Sequence, residues 1–334
     1  MKAAVLTGYD KSGRDLELLE LPTPQPAPGE VLVKIRTAGV NPLDNMIVRG
    51  EVKLVVPYRF PLVMGNELVG TVEKLGGDTS RFAVGDRVYG RMPLSKIGAF
   101  AEYAAVDETA LAKVPDYLSD EEAACVPLTA LTALQSLELM GAKAGDSVFI
   151  SGGTGSLGAM AVPIAAGMGL EVATNGNGAS EERMKALGAS TFIDYRKQDY
   201  AEVLHDVDHV LDTLGDRELE KEFSVLKPGG TLVSLRGMPN GEFAERSGFP
   251  LWKRLAFGMV GRKYDNMAAK RGQSYRFVFV HEDGTGLERL PSILGERRIE
   301  ASVDAVFPLD EVNAAMAKVA AGGSKGKTIL KICK

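Results

Sequence analysis

Four glycines within seven positions, directly after a short apolar run, constrain this chain more than any other feature of its sequence. The stretch reads FISGGTGSLGAMA over residues 149–161 and contains the spacing Gly153-x-Gly155-x-x-Gly158. Between a strand and a helix, the first glycine permits a tight turn, the second admits a pyrophosphate, and the third lets the helix pack closely on the sheet. The helix N-terminus also attracts anions. The stretch therefore predicts a dinucleotide-binding loop.

The segments around this loop alternate between strand-like and helical patterns. Residues 156–168 and the segment SEERMKALG, which stops at Gly188, read as helices. Strands separated by helical stretches predict a parallel sheet with helices on both faces, an α/β doubly wound fold. The segments that read as strands are DSVFIS, LEVATN, STFIDY, DHVLDTLG, GGTLVSLRG and YRFVFV.

Residues 1–120 have a different texture, with short strand-like runs punctuated by proline and glycine. Near residue 120 the pattern becomes helical, and Ser119 is the predicted N-cap. The segment 238–274 is basic and amphipathic and is predicted to be a helical excursion. It could serve as a lid, a dimer contact or a membrane-surface helix, and ordinary packing against the α/β domain is the favoured interpretation.

The end of the second strand of the α/β pattern indicates which dinucleotide binds. Sites for NAD usually carry an acidic residue about 20 residues after the loop, where it binds the ribose hydroxyls. This chain has Thr174, Asn175, Gly176 and Asn177 there, with no carboxylate to repel a 2′-phosphate. We therefore predict NADPH as the cofactor. Arg183 follows within reach as a cation for the phosphate, although it can equally be a solvated helix residue.

Composition restricts the remaining possibilities. A chain of 334 residues has room for two domains, and its net charge of −5 offers no broad basic face for nucleic acid. With only Cys125 and Cys333 we expect neither a disulfide framework nor a thiolate zinc site, and we place the protein in the cytoplasm. No uninterrupted apolar run reaches the roughly 18 residues that span a bilayer.

Several segments, in their order and spacing, resemble the medium-chain dehydrogenases/reductases. They are AGVNPLDNMIVRG, PLVMGNELVGTVEKLG, FAVGDRVYG, GAFAEYAAV, VPLTALTAL, ISGGTGSLG and LGASTFIDYR. The branch that the chain resembles most is that of the zinc-free quinone oxidoreductases, which are similar to zeta-crystallin, and the related enone reductases. The resemblance implies a GroES-like β-rich catalytic domain over 1–121 and 284–334 and a Rossmann NADP-binding domain over 122–283. It also implies a cleft between them where nicotinamide meets substrate.

The resemblance also bears on metal binding. Where zinc enzymes of the family carry their three ligands, this chain has Asn41, Asn66 and, at about the third position, Leu128. Zinc requires thiolate, imidazole or carboxylate ligands in a tetrahedral set. We therefore expect no metal, and Glu67 is interpreted as a structural carboxylate.

Two residues are candidates for catalysis. Asn41 matches the Asn that lies near nicotinamide and substrate in the zinc-free relatives, so it is predicted to position the substrate or donate a hydrogen bond to the developing enolate. The alternative is that Asn41 only organises the turn before Pro42. The family's Tyr is missing from Asp44-Asn45-Met46, and Tyr58 is the candidate substitute.

The resemblance implies a larger set of cofactor-binding positions. Gly176 and Tyr195 match residues at the adenosine end, Lys327 is expected at the cofactor ribose, and the DTLG, SLRG and FVFV segments are expected to line the nicotinamide pocket. With the loop and the second strand, the predicted set is Gly152, Gly153, Thr154, Gly155, Ser156, Leu157, Gly158, Asn175, Gly176, Asn177, Arg183, Tyr195, Leu214, Gly215, Arg236, Gly237, Phe279 and Lys327.

The function that these patterns and the resemblance imply is hydride transfer from NADPH to quinones or α,β-unsaturated carbonyls without zinc. Two alternatives stay open: an NADPH-binding sensor or scaffold with little catalysis, and another NADP-dependent carbonyl reductase or alcohol dehydrogenase. The expected partners are a small-molecule substrate and, from the resemblance, a second copy in a homodimer. We expect no nucleic acid and no stable membrane association.

Overall fold

The computed structural model describes residues 1–323 and 325–333, with the backbone alone for Asp216. Its strands are β1 Lys2–Leu6, β2 Glu17–Glu20, β3 Glu30–Val40, β4 Leu62–Val63, β5 Glu67–Leu75, β6 Arg87–Arg91, β7 Tyr103–Asp107, β8 Leu111–Lys113, β9 Ser147–Ile150, β10 Glu171–Gly176, β11 Thr191–Asp194, β12 Val207–Asp212, β13 Leu226–Ser234, β14 Ser274–Phe277, β15 Val303–Pro308 and β16 Lys327–Lys331. Its α-helices are α1 Pro42–Val48, α2 Asp120–Ala123, α3 Pro127–Met140, α4 Ser156–Gly167, α5 Glu181–Leu187, α6 Tyr200–Val203, α7 Asp216–Val225, α8 Gly241–Arg246, α9 Leu251–Ala269, α10 Gly284–Leu294 and α11 Val312–Ala321.

The chain divides into two compact units. The first unit comprises Met1–Leu131, His281–Arg289 and Glu300–Lys334, and the second comprises Thr132–Val280 and Leu290–Ile299. The first division follows residue 131, ten residues later than the sequence pattern placed it. One reason is that the residues around Leu128 bond into the first unit, where the Leu128 amide donates to the Glu67 carboxylate at 2.8 Å.

The first unit is built from two sheets. A three-stranded antiparallel sheet has the order β2-β1-β4, and a larger sheet has the order β15-β16-β3-β5-β6-β8, with β7 also paired to β3. In the larger sheet β3 is central: its carboxyl end pairs with the start of β16 on one side and the start of β5 on the other. Three segments distant in sequence therefore meet where β3 ends.

The second unit contains a parallel sheet with the strand order β11-β10-β9-β12-β13-β14. The central strand β9 is apolar and fully buried over Val148–Ile150, because helices of this α/β unit flank the sheet. In sheets of this order, ligands bind beyond the carboxyl ends of the strands where the order reverses, here between β9 and β12. The fold class predicted from the sequence is confirmed.

Helix boundaries follow the local signals in the sequence. Ser119 caps α2 and forms a capping box with Glu122, and α5 stops at Gly188, which has φ of 114°. The helix predicted to run on from Ser119 is in fact two helices. The chain breaks at 124–126, just before Pro127, because a residue preceding proline is disfavoured in the helical conformation.

One stretch is apolar and long enough to cross a bilayer by length and composition. It lies within Asp120–Met140, whose most apolar 18-residue window has mean hydropathy 1.3 and is 78% buried inside the protein. This window qualifies by its average hydropathy and is interrupted by polar residues, so it differs from the uninterrupted apolar run that the sequence lacks. Its burial is typical of a core helix.

Candidate functional site

The glycine loop joins β9 to α4 at the point where the strand order of the second unit reverses. The Gly153 amide donates to the Asn175 carbonyl at 3.0 Å, and the Gly152 amide donates to the Asn175 side-chain oxygen at 2.7 Å. These two bonds tie the loop to the end of β10. The loop therefore lies beside the strand end where the ribose of a dinucleotide is expected.

Two of the glycines are required by close packing. A Cβ on Gly153 would overlap the Thr174 hydroxyl, and a Cβ on Gly158 would lie 2.6 Å from the Gly152 carbonyl oxygen. Gly155 differs, because a Cβ there would be 3.4 Å from its nearest neighbour, the Gly152 oxygen. Nothing in the protein itself demands a glycine at 155, which is consistent with a role in admitting a ligand.

The adenosine-end residues predicted from sequence are placed near one another. Gly176 closes β10, and its carbonyl accepts from the Tyr195 amide at 3.2 Å. The Tyr195 ring is 57% exposed and has the Arg196 guanidinium 5.9 Å from its centroid. Asn177 caps the turn Gly178–Ser180 through the Ala179 amide. Arg183 lies on the exposed side of α5.

One carboxylate in this region was not predicted from the sequence. Asp194 ends β11 and lies against Gly178, where a Cβ would overlap its side chain. It accepts from the Arg196 amide at 3.1 Å and lies 3.6 Å from the Lys197 ammonium. These contacts hold the pKa of Asp194 below its usual range, with the Arg196 amide as the main cause. The end of β10 therefore carries no acidic side chain, whereas the end of β11 carries Asp194.

The segments predicted to line the nicotinamide pocket are fixed by a buried acceptor, Asp212, at the end of β12. Its carboxylate accepts from the Leu214 and Gly215 amides at 2.8 and 2.7 Å and from the Ser234 hydroxyl at 2.5 Å. Ser234 in turn accepts from the Gly237 amide at 2.7 Å. Leu214 and Arg236 are left exposed, and Phe279 is half-buried. Asp212 and Ser234 are positioning residues that the sequence analysis did not identify.

A second set of polar residues lies in the first unit, where β3, β5 and β16 meet. Asn41 follows β3 and is 4% exposed, and its side-chain nitrogen donates to the Glu67 carboxylate at 2.8 Å and to the Gly39 carbonyl at 3.2 Å. The Lys327 ammonium bonds the Asn41 side-chain oxygen and Glu67, both at 2.5 Å. We call these residues, with Asp44, Asn66 and Arg91, the polar cluster.

These contacts bear on two expectations, both of which stay predictions. Lys327 was expected at the cofactor ribose, but its side chain is 6% exposed and its charge is met by the fully buried Glu67. Asn41 was expected to donate to substrate, but both hydrogens of its amide are already bonded within the first unit. Gly39 makes this arrangement possible, because a Cβ there would overlap the Glu67 carboxylate.

Asp44 is the second buried carboxylate of the polar cluster. It accepts from the Asn41 backbone N–H and from the Asn66 side-chain nitrogen, both at 2.7 Å. Complete burial raises the pKa of Asp44 to about 7, against the lowering effect of these hydrogen bonds. The carboxyl is therefore partly protonated near neutral pH, and the net charge of the polar cluster becomes more positive as it protonates.

Arg91 enters the polar cluster from β6, directly opposite Glu67 in the strand register. Side chains of opposed residues lie on the same face of a sheet. The guanidinium is fully buried: Nη1 donates to the Met92 carbonyl and lies 3.9 Å from Glu282. Within the part of the chain that the structure describes, Nε and Nη2 have no hydrogen-bond partner. These two donors form the edge that binds a carboxylate or carbonyl oxygens.

Tyr58, the second candidate catalytic residue, lies half-buried with its amide bonded to the Tyr9 hydroxyl at 2.9 Å. Burial raises the pKa of Tyr58 to about 12, and the positive charge of Arg91 opposes this rise. Its hydroxyl is therefore protonated at neutral pH and able to donate.

The residues at the family's zinc positions do not fit a zinc site. Asn41 and Asn66 offer only amide groups, and Leu128 contributes its backbone amide to Glu67. The Glu67 carboxylate, which a metal would need as a ligand, is already paired with the Lys327 ammonium. Cys125 is a poor substitute, because burial raises the pKa of its thiol to about 12. In residues 1–323 and 325–333 no three His, Cys, Asp or Glu side chains come together as ligands.

Two known families match parts of this chain. Residues 27–116 match the alcohol dehydrogenase GroES-like domain family, and residues 187–330 match the zinc-binding dehydrogenase family. The second family's description refers to a metal whose ligand residues this chain lacks.

Similar proteins cover most of the chain. A 2-methylene-furan-3-one reductase of Solanum lycopersicum is 34% identical over 68% of this chain and 60% of its own length. The solved structure of an alcohol dehydrogenase superfamily protein from Novosphingobium aromaticivorans is 30% identical, covers both chains completely and has a TM-score of 0.81. The quinone oxidoreductase from Coxiella burnetii is 25% identical over 100% of this chain and 99% of its own, also with a TM-score of 0.81. The chain therefore belongs to the medium-chain dehydrogenase/reductase superfamily of NAD(P)H-dependent oxidoreductases, among its quinone oxidoreductase and enone reductase relatives.

Proposed function

We propose that this protein is an NADPH-dependent reductase of quinones or other α,β-unsaturated carbonyls that works without zinc. The observation that carries the proposal is the buried Lys327–Glu67–Asn41 arrangement, which puts a fixed ammonium among the residues at zinc-ligand positions. The relatives named for a quinone and for an enone support the same substrate class.

The nucleotide side of the proposal depends on charge. When bound, NADPH supplies the hydride. The loop 152–158 would hold its pyrophosphate, and the end of β10 offers the neutral Asn175, Gly176 and Asn177 to the 2′-phosphate. Asp194, the nearby carboxylate on β11, already has Lys197 and the Arg196 amide as partners. The repulsion that it exerts on a phosphate is thereby reduced.

The charge that develops on the substrate oxygen accounts for the proposed preference for conjugated carbonyl substrates. Hydride transfer to a plain ketone concentrates negative charge on one oxygen, and strong electrophilic assistance is then needed. In a quinone or enone the charge spreads over a conjugated system, so that positioned donors and one cation suffice. We propose that Glu67 and Asn41 hold the Lys327 ammonium in place through two of its N–H groups and that the third donates a hydrogen bond to this oxygen.

Two further residues complete the proposed mechanism. Arg91 is fully buried on the same sheet face as Glu67, and we propose that its positive charge adds to the stabilisation of the substrate oxygen. Tyr58, protonated at neutral pH, is the proposed proton donor. Asn41 acts as a positioning residue in this scheme.

The experiment that tests the proposal is an NADPH-consumption screen over quinones, alkenals and cyclic enones, with NADPH and NADH binding measured by calorimetry. Turnover of quinones or enones, together with tighter binding of NADPH than of NADH, is expected. Tight NADPH binding without turnover would favour a sensor or scaffold. Oxidation of simple alcohols with NADP would favour an alcohol dehydrogenase.

A further inference from the structure

Helix α9 carries an apolar stripe on its outer face. Leu251, Trp252, Leu255 and Met259 are 71, 62, 63 and 73% exposed. These positions share one side of the helix, since they lie within about 100° of one another at 3.6 residues per turn. Large apolar side chains on a soluble protein seldom cluster in this way without a binding role.

The stripe does not result from poor packing of the helix. The opposite face is buried through Phe257, Gly261, Tyr264 and Ala268. Phe257 contacts two other rings, and Tyr264 stacks on the ring of Tyr275 at 5.1 Å. The helix is therefore fixed to the second unit by one face and presents the apolar stripe on the other.

Charge identifies the occupant of this surface. Residues 251–271 contain six basic residues and one acidic residue, in a chain of net charge −5. Arg262, Lys263 and Lys270 are exposed. A helix with an apolar stripe, a tryptophan and flanking basic residues has the composition of interfacial helices that bind anionic lipid surfaces.

We propose that the outer face of α9 binds reversibly to an anionic lipid surface, with the apolar stripe in the headgroup boundary and the basic residues at the phosphates. A second copy of this chain fits less well. If two copies met through this face of α9 about a two-fold axis, the basic residues of one copy would lie against those of the other. A single helix of this kind gives marginal, reversible binding, which agrees with the expectation of no stable membrane association.

Trp252 makes the test direct, because it is the only tryptophan of the chain. The full-length protein is mixed with vesicles of phosphatidylcholine alone or with about one-third phosphatidylserine. We expect a blue shift of tryptophan emission and co-sedimentation with the anionic vesicles, both reversed by high salt, and neither with phosphatidylcholine alone.

Paired variants separate the two contributions. Leu255→Ser/Met259→Ser is expected to abolish both signals. The control Val84→Ser, at an apolar residue 63% exposed in the first unit, is expected to abolish neither. Arg262→Gln/Lys263→Gln is expected to weaken vesicle binding by roughly fivefold for each charge removed. The control Lys11→Gln/Arg14→Gln removes two exposed charges of the first unit and should not weaken it.

Circular dichroism checks that each variant is folded, and light scattering measures its oligomeric state. Equal binding to neutral and anionic vesicles would overturn the proposal, as would the absence of binding to either. A change of oligomeric state in folded Leu255→Ser/Met259→Ser, without vesicle binding by the wild type, would overturn it in favour of a second copy.

Discussion

Lys327 and Glu67 form an ion pair that water does not reach, with side chains 6% and 0% exposed and 2.5 Å between ammonium and carboxylate. Removing one partner of such a pair leaves the other buried without compensation. Lys327→Met is therefore expected to lower the free energy of unfolding by about 3–5 kcal/mol in urea denaturation. The double variant Lys327→Met/Glu67→Gln should recover part of the loss.

An exposed ion pair supplies the control for this prediction. Lys96 pairs with Glu30 while half of its side chain is exposed. Lys96→Met should cost no more than about 1 kcal/mol. Equal losses for Lys96→Met and Lys327→Met would contradict the role assigned to burial.

Asp44 should make stability depend on pH between about 4 and 7. Its pKa is raised to about 7 by burial, so the folded state favours the protonated form. The stabilisation by protonated Asp44 is complete below the unfolded pKa near 4 and is lost as pH rises through about 7. The change across this window is about 4 kcal/mol.

The variant Asp44→Asn isolates this contribution. Because an amide does not titrate, the unfolding free energy of the wild type should fall relative to the variant as pH rises from 4 to 7. Urea denaturation at each pH measures the difference. Parallel curves for the two proteins would show that Asp44 is ionised throughout.

The two middle glycines of the loop should respond differently to alanine. Gly153→Ala is expected to destabilise the fold by about 1–3 kcal/mol, since its Cβ would overlap the Thr174 hydroxyl. Gly155→Ala should change stability by less than about 1 kcal/mol and weaken NADPH binding at least about tenfold, because its Cβ projects where the pyrophosphate would approach. Thermal unfolding and calorimetry separate the two effects, and unaltered NADPH affinity in Gly155→Ala would remove the loop from nucleotide binding.

Asn177→Asp should shift preference from NADPH towards NADH. Aspartate keeps the cap on the Ala179 amide, so the local fold is preserved, and it adds a negative charge where the 2′-phosphate is proposed to bind. We expect NADPH affinity to fall about tenfold relative to NADH by calorimetry. Asn177→Ser keeps a capping oxygen without the charge and should leave the preference unchanged. The proposed phosphate position is wrong if both variants behave alike.

Arg91→Met should separate stability from activity. Replacing a buried, poorly paired charge by an apolar side chain is often neutral or stabilising, so we expect an equal or higher Tm. Loss of this buried positive charge should lower kcat/KM with quinones by at least about tenfold. Arg87→Met, in the same strand, breaks bonds to Asp120 and the Leu118 carbonyl and should do the reverse, lowering Tm with little effect on kcat/KM.

The sequence was sufficient to predict the parts of this molecule that depend on local pattern. The glycine loop, the strand–helix alternation and the stop at Gly188 are read from neighbouring residues, and the structure confirms them. Lys327 could not be placed in this way, because its position depends on β16 pairing with β3, some 290 residues earlier.

Arg91 was missed for a related reason. It is the last residue of a strand, and arginines at such positions are usually exposed. The apolar run VYG before it gave a weak signal of burial, but only the register with Glu67 reveals that it faces the polar cluster. Within the predicted helical segment 238–274, composition alone does not separate Phe257 from Trp252 and Met259, and the structure places them on opposite faces of α9.

The late position of β16 has a consequence for how the protein is made. Asn41 and Lys327 are separated by 286 positions, and the second unit's long segment 132–280 lies between them. Because domains fold as units during synthesis, the second unit has emerged from the ribosome before the strand that closes the first unit's sheet. Until that strand is translated, Glu67 and Asn41 lack the Lys327 ammonium that both of them bond in the folded protein, so the polar cluster of the first unit stays incomplete.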